Sequence, residues 1–289
     1  MRRTVLMLGV AAMAAAVLPL AASAGSGAPA AHSRPALASA APFTLGGAPC
    51  KLIPVPAADS TMPVGIGSCP GVRPGGEVQS EIGLCTLNFL FVTPEGERFI
   101  GTAGHCIVGE GPVADNAGEK TWAKGSGPVA KDSTGHRFGE FAYAVLADPK
   151  DFALIRLDPN VEASPEMCNY GGPTGINDDI SDGPKVLEYF GNGVGIGSTV
   201  PARSAVALGY PNADHVYANG LALPGDSGSG VITDDGRAVG VLVTTGLHGV
   251  GFDENGVDFG TMGITRINPQ IARASEALGL KFTMVTVKK

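Results

Sequence analysis

The chain has 289 residues, with 27 acidic against 20 basic side chains and a formal net charge of −7. That balance excludes a nucleic-acid partner, because phosphate binding needs a basic surface. With 43 glycines, 22 prolines and only 6% aromatic residues, the chain is built of many turns and short elements.

Met1-Arg2-Arg3 is basic, Val5 to Ala22 is apolar and alanine-rich, and Ala22-Ser23-Ala24 offers a small-x-small cleavage site. This predicts a signal peptide over 1–24, a secreted mature protein, and no stable membrane insertion after signal removal. A membrane anchor is the competing reading. Pro19 interrupts the apolar run, and no stop-transfer signal follows it. The remaining chain of about 265 residues can bury a sizeable core, as one large domain or two small ones. Residues 25–74 read as a spacer and N-terminal arm: first rich in Ala, Ser, Gly and Pro, then punctuated by Pro and Gly with little periodicity.

The run 81–92 predicts one strand, ended by the turn Thr93-Pro94-Glu95-Gly96-Glu97, with 98–102 as the returning strand of a hairpin. That hairpin delivers Ala103-Gly104-His105 at its end. Further strands are predicted at 137–146 and 151–157. Residues 158–183, with prolines, glycines and an acidic run, read as a linker. After it, strands are predicted at 185–190, 194–200, 205–210, 230–233, 238–245 and 261–267. Asn268 then Pro269 is a helix-start signal, Ile271, Ala274 and Leu278 recur at near-helical spacing, and Gly279 suits the stop. Many short strands with frequent turns favour a β-barrel over a parallel sheet.

Three segments carry chemistry: Thr102-Ala103-Gly104-His105-Cys106, the apolar strand led by Asp151, and Gly225-Asp226-Ser227-Gly228. A serine hydroxyl is a poor nucleophile unless a base takes its proton. An imidazole is a poorly directed base unless a carboxylate fixes its tautomer and orientation. Asp148 is the rival carboxylate, but Pro149 follows it and no apolar strand does. The run Gly-x-Ser-x-Gly fails because position 229 is serine, which disfavours an α/β-hydrolase.

At these residues, and over roughly Gly75 to Leu280, the chain resembles the chymotrypsin-fold serine peptidases. The order His, Asp, Ser is that of this fold and not of the subtilisin or α/β-hydrolase solutions. Gly75-Gly76, Cys85-Thr86-Leu87-Asn88-Phe89, Thr102 to Cys106 and Pro224 to Gly228 are most similar to the streptogrisin-like secreted branch. The resemblance implies an all-β fold: two packed six-stranded antiparallel β-barrels with a C-terminal α-helix. The peptidase domain would be 75–289, with the first barrel at 75–157, the linker at 158–183, the second barrel at 184–267 and the helix at 268–281.

The resemblance further implies an endopeptidase working through an acyl-enzyme on protein or peptide substrates, with no cofactor and no metal. It implies His105 as general base, Asp151 as its orienter and Ser227 as nucleophile, with the backbone N–H groups of Gly225 and Ser227 as oxyanion hole. Asp226 would pair with a buried cation. No basic residue precedes an Ile/Val-x-Gly-Gly run, so either an internal cation such as Arg203 serves or the site is incompletely formed. Leu221 would lie at the floor of the substrate pocket, with Ala222 and Leu223 adding apolar character and Leu223 standing where many relatives carry a cysteine. An apolar floor argues against Lys or Arg before the cut. Thr244, Thr245 and Gly246 resemble the strand that pairs with substrate backbone.

Five cysteines in an exported protein read as disulfides. The resemblance pairs Cys85 with Cys106. Cys168 lies in the predicted linker, which makes a bond to it from Cys50 or Cys69 the second candidate and leaves the third cysteine free or intermolecular. The competing function is a catalytically inactive secreted module of the same fold that binds partners. Other features read as structural. His136, His215 and His248 are surface or core residues, and His32 lies in the spacer. Gly191 to Gly197 fails the dinucleotide spacing, and Asp253 to Asp258 reads as a solvated hairpin tip rather than a calcium loop.

Overall fold

Short apolar runs bounded by turns build two sheets, each rolled around its own buried side chains. The computed structural model describes residues 44–45, 48–49, 71–109, 118–147, 149–167, 171–177, 185–193, 202–244, 252–253, 256–257 and 261–287. The predicted signal peptide and strand 194–200 lie outside these residues, as do Cys50, Cys69, Cys168, Asp148, Thr245, Gly246, His32 and His248.

In chain order the strands begin with β1 (Thr44–Leu45), β2 (Ala48–Pro49), β3 (Glu77–Gln79), β4 (Leu84–Thr86), β5 (Leu90–Val92) and β6 (Arg98–Thr102). Helix α1 (His105–Val108) follows β6, before β7 (Gly118–Thr121), β8 (Val129–Lys131), β9 (Arg137–Ala147) and β10 (Lys150–Leu157). Next come β11 (Gly175–Ile176), β12 (Val186–Phe190), β13 (Ala202–Asn212), β14 (His215–Gly220), β15 (Gly230–Thr233) and β16 (Arg237–Thr244). The hairpin β17 (Phe252–Asp253) and β18 (Gly256–Val257), then β19 (Thr261–Arg266), α2 (Ile267–Leu278) and β20 (Thr283–Met284) complete the set.

The first large sheet runs β20-β5-β6-β10-β9-β8-β3-β4, with β7 also on β9, and curls into a half-barrel. In the second, β16 pairs with both β15 and β19, which closes β12-β13-β14-β19-β16-β15 into a six-stranded barrel. The all-β, two-barrel architecture is the one expected. In detail, only the second barrel is closed by its strand ladders among the described residues. β15 and β16 are buried on both faces. Val231, Val239 and Leu242 fill the second barrel, while Ile232, Ala238, Val241 and Val243 join the core shared with the first sheet and α2. The period of two along a strand thus packs one barrel against the other with adjacent residues.

The predicted strand 81–92 is broken in two. Ser80 and Gly83 close a turn at its start, and Leu87 to Phe89 separate β4 from β5. The break has a cause in hydrogen bonding. The Phe89 N–H is taken by Asn88 Oδ1 at 2.7 Å, and Asn88, fully buried, sends its Nδ2 to the carbonyl of Gly228 at 3.1 Å. β14 was not predicted; it joins β13 and β19 in the closed barrel. The folded part also begins earlier than Gly75. Val72 bonds Glu162 backbone to backbone at 2.8 Å, and Arg73 is 1% exposed.

Helix α2 starts at Ile267, with Pro269 in the first turn, where no amide partner is needed. It ends at Gly279 in the left-handed conformation, φ 64°. The chain then turns back to the first sheet, where β20 pairs with β5. Phe282 meets Phe91 and Phe99 edge-on, with ring centroids 6.5 and 5.0 Å apart. Replacing Phe282 by alanine empties that contact. Chemical unfolding should report a loss of about 3 kcal/mol.

Candidate active site

His105 is the first residue of α1, at the end of β6, and its position is fixed by what surrounds it. Cys85 of β4 and Cys106 form a disulfide, which ties the start of α1 to the first sheet. Asp151, on β10, captures the histidine at two points. Its Oδ1 accepts the His105 backbone N–H at 3.0 Å, and its Oδ2 accepts Nδ1–H at 2.7 Å. Both side chains are about nine-tenths buried, at 8% and 11% exposure. A carboxylate can only accept, so the ring proton sits on Nδ1 and leaves Nε2 as the basic nitrogen. Nε2 is shielded from solvent. Cys85, His105 and Cys106 bring ligand-type atoms within 4.8 Å of one another, but both sulfurs are committed to the disulfide.

The Gly225 to Gly228 segment lies against the same end of the first sheet. Thr86 N–H donates to the Ser227 carbonyl at 2.8 Å. Gly228 has φ +92°, and a Cβ there would run into the Thr86 carbonyl and the Thr102 hydroxyl, and would stand 3.0 Å from the Ala103 nitrogen. Only glycine permits this approach, which sets Gly228 against Thr86, Thr102 and Ala103. Ser227 and Gly225 are half-buried.

Every carbonyl of this run is held. Thr86 Oγ1 donates to that of Gly225 at 2.7 Å, Ser229 Oγ to that of Asp226 at 2.6 Å, and Asn88 Nδ2 to that of Gly228. The amides of Asp226 and Gly228 donate to Leu223 and Leu242. Among the described residues, no acceptor stands against the amides of Gly225 and Ser227.

Asp226 is completely buried and its carboxylate accepts four bonds. Arg203 of β13 supplies two, one of them from Nη1 to Oδ2 at 2.5 Å and the other from Nη2 to Oδ1. Gly193 N–H donates to Oδ1 at 2.7 Å and Leu223 N–H to Oδ2 at 2.8 Å. The guanidinium also lies over the Tyr189 ring, 4.9 Å from its centroid. Burial holds the Tyr189 hydroxyl well above the usual phenol range. A Cβ on Gly193 would meet the Asp226 carboxylate at 2.6 Å, and one on Gly191 would strike it too. The glycines of 191–193 therefore make room for a carboxylate of the protein itself.

The substrate-pocket residues are less gathered. Leu221 is 56% exposed, and its carbonyl accepts the Tyr189 hydroxyl, whereas Ala222 is buried in the second barrel. Leu221 thus presents its side chain to solvent rather than closing a floor. Thr244 Oγ1 accepts the Gly263 amide at 3.0 Å. His215 is a core residue, stacked edge-on with Tyr217. From the sequence, Thr86 and Asn88 enter only within the motif 85–89, and no role falls to them, to Asn192 or to Ser229.

Closed barrel, curled sheet and C-terminal helix define a chymotrypsin-like two-barrel protein. No family model and no curated protein matches the chain. Among solved structures it is similar to Nocardiopsis protease (NAPase), at 21% identity and TM-score 0.46, over 73% of this chain and 99% of that one. It is also similar to Thermobifida fusca protease A, at 17% identity and TM-score 0.46, over 74% and 100%. A third is Cellulomonas bogoriensis chymotrypsin, at 22% identity and TM-score 0.45, over 75% and 99%.

Removing one partner of a buried ion pair strands the other charge. Arg203→Met should therefore lower stability to urea by about 3–5 kcal/mol. Arg203→Met combined with Asp226→Leu should recover part of that loss in the same titration.

Proposed function

We propose that the protein is a secreted serine endopeptidase. Ser227 Oγ attacks a peptide carbonyl while His105 Nε2 takes its proton. Asp151 holds the imidazole and stabilises the imidazolium that forms. The tetrahedral oxyanion is received by the Gly225 and Ser227 amides. Collapse expels the amine, which leaves with the proton from His105, and the acyl group stays on Ser227. Water, deprotonated by His105, then releases the acid and restores the hydroxyl. No cofactor enters these steps.

The observation that carries this reading is the two-point seating of His105 on Asp151, next to a serine loop whose two candidate oxyanion amides have no acceptor among the described residues. Asp226, paired with Arg203, keeps that loop in shape, so no newly released N-terminal amine is required. Of Leu221 and Ala222, Leu221 offers exposed apolar surface, and the preferred residue before the cut is apolar.

A fluorophosphonate probe tests the reading directly. Protein lacking residues 1–24 should label, Ser227→Ala should not, and peptide hydrolysis by that variant should fall at least about a thousandfold. Equal labelling of both proteins, or none of the wild type, overturns the proposal and favours the inactive binding module. Specificity is tested separately with a peptide library. Cleavage should cluster after apolar residues, and cleavage confined to Arg or Lys would refute the pocket assignment.

A further inference from the structure

We infer that Thr86 is a positioning residue for the oxyanion hole, acting from the first sheet on a loop that belongs to the second barrel. The inference rests on the peptidase reading of the site and adds to it a residue outside the triad.

Thr86 is fully buried, and both its backbone and its side chain are engaged with the active-site segment. Its N–H holds the Ser227 carbonyl at 2.8 Å, and its hydroxyl holds the Gly225 carbonyl at 2.7 Å. A peptide unit is planar, so the Gly225 carbonyl shares a plane with the Asp226 N–H, and the Ser227 carbonyl with the Gly228 N–H. Thr86 therefore holds the peptide unit that follows each candidate donor residue, and so restrains the Cα on whose other side the donor amide lies. Gly225 needs this most. It has φ +98° and no side chain, so its intrinsic preference among backbone conformations is weak.

The hydroxyl is itself oriented. It accepts the Asn192 N–H at 3.0 Å, which directs its own proton to Gly225. Asn192 is anchored by Nδ2 to the Gly75 carbonyl at 2.7 Å, and its own carbonyl would lie 2.9 Å from a Cβ on Gly225. The chain of bonds runs Gly75, Asn192, Thr86, Gly225, and crosses three times between the barrels. Donors preorganised in this way act on the transition state more than on bound substrate.

Thr86→Val keeps the side-chain shape and removes the hydroxyl. On the peptide that wild type cleaves best, kcat should fall about tenfold with KM within about twofold, and Thr86→Ser should restore most of the loss. A peptidyl aldehyde, whose adduct places an oxygen in the hole, should lose affinity in parallel with kcat. The matching peptidyl alcohol should bind both proteins alike. A purely structural role would move thermal stability without this split.

Unchanged kcat in Thr86→Val, a loss confined to KM, or no rescue by serine overturns the inference. Should Thr86→Val fail to fold, Thr86→Ala, which retains the backbone bond to Ser227, is measured against the same aldehyde and alcohol. An equal loss for both ligands then overturns it. A wild type that does not label with fluorophosphonate defeats the peptidase reading instead. A labelling wild type with an unaltered Thr86→Val defeats this inference alone.

Discussion

The buried pair of Arg203 and Asp226 is the constraint on which the candidate site depends. A carboxylate with no solvent contact must find donors for all its lone pairs, and this one takes two from the guanidinium and two from the amides of Gly193 and Leu223. The pair is poor evidence of stability, since desolvating two charges costs about as much as their attraction returns. Its consequence is geometric. Four bonds converge on one residue from β13, from 191–193 and from the segment before Gly225, and they leave Asp226 one position. Ser227 follows directly in the chain, so its backbone inherits that position. The cation comes from within the second barrel, so the loop is organised without an amine from elsewhere.

The first sheet contributes the other half of the site and the bonds that join the halves. His105 and Asp151 sit at one end of the adjacent strands β6 and β10, held by the same ladder that pairs Ala153 with Thr102. Thr86 and Asn88 then reach across to the carbonyls of 225, 227 and 228. Between β4 and β5 the Phe89 amide is taken by Asn88 Oδ1, and Asn88 and Phe89 both face Gly101, so the strand is interrupted where these side chains cross. The interruption is therefore part of how the two barrels register at the candidate active site.

Much of this architecture was legible in the sequence, and the failures have physical causes. The strands 98–102 and 230–233 were placed to the residue, because apolar runs end there at clear turns. β14 was missed because His215, Val216, Tyr217, Ala218 and Asn219 show no clean alternation, although His215, Val216 and Ala218 are buried. A histidine packed on Tyr217 does not look apolar by composition. Strand 81–92 was overextended because Thr86 and Asn88 resemble ordinary strand residues until their partners, more than a hundred positions away, are known. Arg203 could be offered as the cation for Asp226 but not chosen, since sequence does not say which basic residue turns inward. The glycines at 191 and 193 invited a phosphate-loop reading and failed its spacing, while their steric reason, the Asp226 carboxylate, is a tertiary fact.

The pocket shows the limit of assigning geometry by position along the chain. A residue near the end of β14 can be placed by its distance from Ser227, yet that distance does not decide which way its side chain points. Here the Tyr189 hydroxyl takes the Leu221 carbonyl, and Leu221 carries its side chain outward while Ala222 turns into the barrel. Tyr189 also stacks on Arg203, so the segment leading to the serine and the buried ion pair lean on the same aromatic ring. The amide of Leu223, in the same segment, bonds the Asp226 carboxylate. The bonds that hold 221–223 are thus shared with the pair that positions Asp226, so a change in this segment also disturbs the ion pair next to Ser227.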